Sequence, residues 1–150
     1  MEFSDVIKNR YSCKKFSSEQ IGKDKLDAIL EAGRVAPTAK NLQEQHIYVV
    51  QSESALETID KLTPCRYNAP TVLIVAYNKN NVFTYLGDKR NSGIEDATIV
   101  ATHLMLAAYN EGVDSCWINF FNPDELAKAF NLPEDEEILM LLDLGVADKT

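Results

Sequence analysis

The sequence has few of the side chains that most often carry metal-dependent or nucleophilic chemistry. Its 150 residues include only two histidines, His46 and His103, and three cysteines. Cys13, Cys65 and Cys116 are far apart and form neither a CxxC pair nor a zinc-binding pattern, so we expect three free thiols. The residue one helical turn after His103 is an alanine, and nothing in the sequence places a histidine beside a cysteine. The pattern therefore indicates no metal site and gives only weak support to a Cys–His nucleophile.

Positive charge and long apolar runs are also scarce. The chain has 15 basic and 23 acidic residues, which gives a formal net charge of −8 and a pI of about 4.7. This balance argues against a broad cationic face for nucleic acid or for an anionic membrane. The longest apolar runs, residues 71–77 and 138–144, are too short to span a bilayer. The N-terminus lacks the basic and apolar regions of a signal peptide. We expect a cytoplasmic protein with no nucleic-acid or membrane partner.

The periodicity of the apolar residues predicts one domain with alternating helices and strands. A 150-residue chain that is 45% hydrophobic is long enough for a single buried core. The predicted helices begin with a short one at residues 3–9, and Asp24 is the predicted N-cap of the second. The remaining helices are predicted at residues 25–35, 53–62, 94–110 and 124–130, and the strands at residues 46–51, 71–77, 113–119 and 138–146. The fold class is therefore a mixed sheet wrapped by helices, with the nearly continuous apolar run at residues 71–77 as its central strand.

The N-terminal segment around Ser12 combines two cations with a hydroxyl group. Arg10, Ser12 and Lys14 alternate along the chain, so an extended backbone would direct all three to one side. Residues 1–16 hold four basic and two acidic side chains in a chain that is otherwise acidic. A guanidinium, a hydroxyl and an ammonium group together suit an anionic ligand. Taken alone, the segment is better explained as a solvated turn between two elements.

Two further segments carry polar or aromatic groups suited to a flat ligand. Residues 36–43 follow a helix and present Thr38, Asn41 and Gln43 at short spacing. Residues 112–118 form a predicted strand that could bring Trp117 beside a planar ring. Neither segment is distinctive alone, since a tryptophan lies in a protein core more often than against a ligand.

In this order, the segments resemble the flavin-dependent nitroreductase family. The motifs that carry the resemblance extend along almost the whole chain: Arg10-Tyr11-Ser12-Cys13-Lys14-Lys15-Phe16, Ala36-Pro37-Thr38-Ala39-Lys40-Asn41-Leu42-Gln43, Asp96, Leu106-Ala107-Ala108, Gly112, Cys116-Trp117-Ile118, Leu132-Pro133-Glu134 and Leu144-Gly145. Each motif is moderately specific, and their occurrence in register makes a chance match unlikely.

The resemblance implies an α+β fold with a central, mostly antiparallel mixed sheet flanked by helices, and an obligate homodimer that binds FMN at its subunit interface. It implies that residues 1–150 form one FMN-binding domain. The cofactor-binding residues carried over from the family's motifs are Arg10, Tyr11, Ser12 and Lys14 from one subunit, Pro37, Thr38, Ala39, Asn41 and Gln43 from the partner, and Cys116 and Trp117 near the isoalloxazine ring.

By the same resemblance, FMN carries the hydride at its N5 atom, so no catalytic side chain is required. NAD(P)H would reduce the flavin and leave, and a nitroaromatic, quinone or similar acceptor would then bind. The chain has neither a GxGxxG motif nor a Walker motif, so a nicotinamide would bind as a transient substrate. A cation near the N1–O2 edge of the flavin would raise its reduction potential, and Lys14 is the candidate.

The sequence departs from the family pattern at two places. Family members often have Pro-Trp after the Asn-x-Gln motif, where this chain has Glu44-Gln45. The C-terminal arm typical of the family is expected to be short or absent, since the sequence ends at Thr150. Two alternatives remain open: a flavin enzyme with other chemistry, such as dehalogenation or flavin breakdown, and a non-enzymatic dimeric module that binds flavin or a phosphorylated ligand.

Overall fold

The computed structural model describes residues 1–150 and contains five α-helices and one four-stranded sheet. The helices are α1 (Phe3–Asn9), α2 (Lys23–Arg34), α3 (Glu53–Leu62), α4 (Gly93–Asn110) and α5 (Pro123–Ala129), and the strands are β1 (Gln45–Val50), β2 (Thr71–Asn78), β3 (Asp114–Ile118) and β4 (Glu136–Gly145). Every predicted element is present, and no end differs from its prediction by more than two residues. Two short 3-10 turns, Ala39–Asn41 and Leu86–Asp88, were not predicted as helical.

The helix ends show where local sequence signals succeed and where they fail. Asn122 caps α5 as predicted, since its side chain accepts hydrogen bonds from the backbone N–H groups of Asp124 and Glu125. Gly112 follows the end of α4 with a φ of +75°, a conformation that glycine adopts readily. The prediction that Asp24 caps α2 is wrong. Helix α2 begins at Lys23, two residues before its predicted start, and its cap is Gly22. Asp24 lies in the first turn, where a carboxylate interacts favourably with the helix dipole.

The four strands form an antiparallel sheet in the order β1-β2-β4-β3. All three pairs of neighbouring strands run antiparallel, with one register shift in the β2–β4 pair between Val75 and Ala76. The one parallel pairing joins Ser12 of the N-terminal segment to Ser115 of β3 as an isolated bridge. The predicted α+β class is therefore confirmed, and the parallel component of the mixed sheet is confined to this bridge.

Helices cover both faces of the sheet, so the central strand β2 is buried on each side. Residues 71–77 are all buried, as their apolar run predicts. Leu73, Val75 and Tyr77 belong to one core cluster, which also contains residues of α2 and α4. The alternate residues of the strand belong to a second cluster, together with residues of α3 and α5. No helix of the structure combines the length and the apolar character needed to cross a membrane.

Helix α2 lies close to α4 because Gly33 has no side chain at their contact. A Cβ atom on Gly33 would lie 2.6 Å from Cδ2 and 3.2 Å from Cγ of Leu104. Leu104 is fully buried, so its side chain cannot turn towards solvent to make room. The close approach of the two helices therefore requires glycine at position 33.

Replacing Gly33 by alanine is expected to lower the free energy of unfolding by about 1–3 kcal/mol, because overpacking outweighs the higher helix propensity of alanine. Thermal or urea unfolding monitored by circular dichroism measures the effect. Gly22→Ser is the matched control, since a side chain there meets nothing within 4 Å and serine is a preferred N-cap. Its stability should be unchanged or higher. A Gly33→Ala protein as stable as the unmodified one would contradict the packing argument.

Candidate functional site

The N-terminal cationic segment, residues 10–16, is fixed to the far edge of the sheet. The backbone N–H of Cys13 donates to the carbonyl of Ser115 at 2.8 Å, and that of Phe16 donates to the carbonyl of Tyr67 at 3.1 Å. The side chains of Cys13 and Phe16 are buried in the second core cluster. Two buried side chains and two backbone hydrogen bonds therefore hold the segment, one bond to β3 and the other to the connection that precedes β2.

This anchoring leaves the polar side chains of the segment outside the core. Ser12 and Lys14 are exposed on either side of the buried Cys13, but Tyr11 and Lys15 are exposed as well, so burial does not alternate strictly along the segment. Arg10 is half-buried, and its Nε atom is buried without any hydrogen-bond partner. Tyr11 is exposed, although partial burial of its hydroxyl and the nearby Asp114 carboxylate raise its pKa to about 12. The segment thus presents an unsatisfied guanidinium donor beside a hydroxyl and an ammonium group.

The second predicted segment, residues 38–43, is a compact polar loop that we call the Thr38 loop. Lys40, Asn41 and Gln43 have positive φ values of 54°, 55° and 51°. Non-glycine residues adopt this conformation at a cost of about 1 kcal/mol or more each, and asparagine tolerates it best. Inside the loop, the N–H of Gln43 donates to Thr38 Oγ1 at 3.0 Å. The loop is therefore a strained turn that depends on its anchoring contacts.

The Thr38 loop is anchored to the first turn of α4. The N–H of Ala39 donates to Oδ1 of Asp96 at 2.9 Å. Asp96 is buried, with only 3% of its surface exposed, although it is ionisable. Of the loop's predicted ligand contacts, Asn41 and Gln43 are exposed, as is the preceding Pro37, while Thr38 and Ala39 are half-buried. The polar groups of the loop therefore face outwards from a fixed base.

Cys116 and Trp117 point to opposite faces of β3. Cys116 is 4% exposed and belongs to the second core cluster, opposite Asp143 in the strand register. Burial and then the Asp143 carboxyl raise its pKa to about 11. Trp117 is half-buried against the first cluster, and its Nε1–H donates to Oδ1 of Asn119 at 2.9 Å. The thiol is thus enclosed by the core, and only the edge of the indole is open to the surface.

The structure brings some of the predicted site residues together and leaves others apart. The cationic segment lies beside Cys116, close enough for Lys14 to lower the pKa of that thiol. The Thr38 loop is attached instead to the beginning of α4 and precedes β1, at the opposite edge of the sheet order. The five main surface pockets of the single chain are lined by other residues. None of these five pockets is shared by the two segments.

Sequence reasoning did not single out two buried carboxyls beneath the Thr38 loop, Asp96 and Glu44, as site residues. Asp96 was quoted as part of a motif, but its hydrogen bond to Ala39 depends on how the loop folds over α4. Glu44 occupies the position at which the family pattern often has proline and is 5% exposed. A charged residue at an unusual position was the available signal for Glu44.

Comparison with known proteins assigns the chain to a family. A sequence profile of the nitroreductase family matches residues 7–66 and 63–146, which together make up most of the chain. The chain belongs to the nitroreductase family. The resemblance seen in the motifs is thereby confirmed, and the fold of this nitroreductase agrees with those of solved family members.

This nitroreductase is similar to proteins from several bacteria. A nitroreductase family protein of Clostridium difficile 630 is 33% identical, with a TM-score of 0.95 over 100% of this chain and 87% of that one. A nitroreductase with bound FMN from Bacteroides fragilis is 25% identical, with a TM-score of 0.84 over 99% of this chain and 90% of that one. YodC of Bacillus subtilis, by its name a candidate NAD(P)H nitroreductase, is 28% identical across 97% of this chain and 89% of its own. The alignment with YodC spans 183 positions, so YodC carries additional residues within the aligned region.

The burial of two of this nitroreductase's three thiols gives a direct chemical test of the site geometry. Cys13 and Cys116 are buried and Cys65 is half-buried. At about pH 8, a thiol reagent such as DTNB is expected to modify Cys65 quickly and the other two about a hundredfold more slowly, until the protein is unfolded. Cys65→Ser should remove the fast phase and Cys116→Ser should leave it intact. A fast phase of two or three thiols would contradict the enclosed position of Cys116.

Proposed function

We propose that the protein is a homodimeric, FMN-dependent oxidoreductase that uses NAD(P)H to reduce small acceptors such as nitroaromatics and quinones. Membership of the nitroreductase family supports an oxidoreductase. A similar solved nitroreductase holds FMN, and the similar YodC is named for NAD(P)H. The observation that carries the proposal is the cationic segment, which brings a guanidinium, a hydroxyl and an ammonium group together at Arg10, Ser12 and Lys14 in a chain whose formal charge is −8.

The cationic segment has the chemistry to hold the phosphorylated end of FMN. Arg10 can donate a forked pair of hydrogen bonds to a phosphate, and the hydroxyl of Ser12 can donate another. The formal charge of the chain is −8, so a bound phosphate needs local compensation that the rest of the protein does not supply. Lys14 is exposed next to Ser12 and would place positive charge beside the flavin, which favours its reduced, anionic form. We assign Tyr11 to the same half of the site.

A second copy of the chain would supply the other half of the site. The Thr38 loop and the preceding Pro37 are not joined to the cationic segment of their own chain. We therefore assign to the partner's cofactor the residues Pro37, Thr38, Ala39, Asn41 and Gln43. Exposed apolar side chains on α1 and α4 support such a dimer: Phe3 is 68% exposed, Ile7 50% and Ile94 63%. The two helices pack against each other, which places these residues on neighbouring elements. Burying them between two copies would be favourable.

The chemistry of the proposed reaction belongs to the cofactor, which when bound accepts a hydride from a reduced nicotinamide and passes it to the acceptor. The side chains of the protein would bind the cofactor and orient it. Trp117 is a half-buried aromatic residue on the strand that holds the cationic segment, while Cys116 is enclosed and would act through packing. We further propose that residues 1–150 form a single cofactor-binding domain and that the protein is cytoplasmic, which its free cysteines support.

The visible spectrum of the purified protein tests the proposed function. The protein should be yellow, or become so when FMN is added, and the flavin absorption should bleach with NADH or NADPH without oxygen. A quinone or nitroaromatic acceptor should then restore the colour and sustain turnover. A colourless protein that binds no added FMN would overturn the proposal. Stable FMN binding without turnover on any acceptor would favour a binding module instead.

Arg10→Ala should weaken FMN binding by about tenfold or more, because a charge-assisted hydrogen bond contributes about 1.5–3 kcal/mol. Lys15→Ala is the matched control. Lys15 is a neighbouring cation, but its ammonium group donates to the backbone carbonyl of Thr150 at 3.2 Å and has no place in the proposed site. It should change the FMN dissociation constant by less than about twofold. Fluorescence titration of the apoprotein measures both constants, and equal losses in the two variants would refute the phosphate assignment.

A further inference from the structure

Two buried carboxyl groups meet beneath the Thr38 loop. Glu44 directly precedes β1 and is 5% exposed, and Asp96 lies in the first turn of α4 and is 3% exposed. The backbone brings the two carboxyls together, because Ala39 donates its N–H to Asp96 and because Tyr77, the sheet partner of Gln45, packs against Gly93 one helical turn before Asp96. Asp96 is accordingly the charged neighbour that acts on Glu44. Both oxygens of Glu44 and Oδ2 of Asp96 are buried without a hydrogen-bond donor. If both groups were ionised, two adjacent anions would be buried with three unsatisfied acceptors, which is strongly unfavourable.

A single proton removes most of this cost. A protonated Glu44 can donate a hydrogen bond to Oδ2 of Asp96, which gives a partner to one oxygen of each residue. Asp96 is the better candidate for the ionised member, because its Oδ1 accepts the N–H of Ala39 and because it lies at the positive end of an 18-residue helix. Glu44 has no comparable donor, so the proton resides on its carboxyl.

The other ionisable groups around Glu44 provide no positive charge to replace the proton. Tyr77 of β2 is the neighbour on the sheet side, and its hydroxyl donates to Glu137 of β4 at 2.9 Å. No lysine or arginine affects the Glu44 carboxyl. Burial, followed by the contact with Asp96, raises the pKa of Glu44 to about 7, while the backbone N–H of Glu44 itself has a smaller opposing effect.

The carboxyl pair is connected to the Thr38 loop through one hydrogen bond. Ala39 donates its N–H to Asp96, and this bond anchors a turn with three left-handed, non-glycine residues. If Glu44 loses its proton, repulsion drives one of the two carboxylates towards water. A displaced Glu44 moves the end of the loop, because it directly follows Gln43, and a displaced Asp96 releases the N–H of Ala39, so in either case the strained loop is free to relax.

We propose that Glu44 and Asp96 share one proton, and that this shared proton holds the Thr38 loop in its cofactor-binding conformation. The link to the cofactor rests on the proposed function, whereas the shared proton and the loop anchoring do not. Glu44 is thus a positioning residue that acts through Asp96. At neutral pH the pair lies near its own titration, so the order of the loop depends on pH around neutrality.

The sign of the pH effect follows from the direction of the pKa change. The pKa of Glu44 rises from an ordinary value of 4.5 to about 7 on folding. The protonated Glu44 therefore makes its full contribution to stability at pH values below its ordinary pKa of 4.5. That contribution is lost as the pH rises through about 7. Burial also raises the pKa of Asp143, to about 9, but that group is the same in all the variants compared and cancels in their differences.

The apoprotein tests the shared proton without any cofactor. Between about pH 5.5 and pH 8.5 the melting temperature of the unmodified protein should fall by several degrees more than that of Glu44→Gln, whose amide donates to Asp96 at every pH. Glu134→Gln, at an exposed glutamate, is the control and should keep the full pH dependence. At about pH 8.5, hydrogen exchange at the Ala39 amide should be about tenfold slower in Glu44→Gln than in the unmodified protein. Equal pH dependence of melting, or equal exchange, in the two proteins would overturn the proposal.

Two further measurements keep the result unambiguous. If Glu44→Gln does not fold, NMR of the 13C-labelled glutamate carboxyls in the unmodified protein takes the place of the variant. One glutamate carboxyl that titrates near pH 7 supports the proposal. If no glutamate carboxyl titrates above about pH 6, the proposal is overturned. Affinity for FMN should fall about tenfold between about pH 6 and pH 8.5 in the unmodified protein and stay constant in Glu44→Gln. The same fall in both would overturn the link to the cofactor. A protein that binds no FMN but shows the apoprotein effects refutes the proposed function alone.

Discussion

The structure depends on a central strand, β2, that is buried on both faces. Seven consecutive residues, 71–77, are removed from water, and this requires one helical layer on each side and a paired strand on each edge. The layer formed by α2 and α4 covers one face, and α3 and α5 cover the other. That arrangement fixes the position of both halves of the candidate site. The cationic segment is attached to β3 at one edge, and the Thr38 loop leads into β1 at the other.

Two buried carboxyl groups, Asp143 and Asp96, are accommodated by the structure in different ways. Asp143 lies on β4 within the second cluster, and neither of its oxygens has a hydrogen-bond partner. Burial raises its pKa to about 9, and the opposing effect of Arg66 is smaller, so the group is neutral at ordinary pH. Asp96 is equally buried but holds the N–H of Ala39. The first carboxyl avoids the cost of a buried charge by keeping its proton, and the second accepts a hydrogen bond from the loop that it anchors.

Much of the fold could be predicted because its signals are local. The apolar run of β2, the helical spacing of α3 and the Asn122-Pro123 start of α5 each depend on neighbouring residues only. The sequence predicted that Arg10, Ser12 and Lys14 would lie on one side of an extended segment, and in the structure Ser12 and Lys14 are exposed while Arg10 is half-buried. The start of α2 was mispredicted because glycine and aspartate both suit helix N-termini and the choice depends on the backbone before the helix.

The part of the candidate site that could not be predicted depends on contacts between distant segments. Because successive side chains of a strand point to opposite faces, Cys116 and Trp117 must face different sides of β3. The local sequence does not indicate which of the two faces the more enclosed core. The burial of Glu44 arises because the Thr38 loop folds over the first turn of α4, 52 residues further along the chain, a contact that no local pattern encodes. Helix α4 therefore joins three features: the core packing of Leu104 against Gly33, the anchor of the loop at Asp96, and the exposed Ile94 on the proposed interface. Ile94 and Asp96 lie within the same first turn of α4, so the anchor of the loop and the proposed interface are built on one turn of one helix.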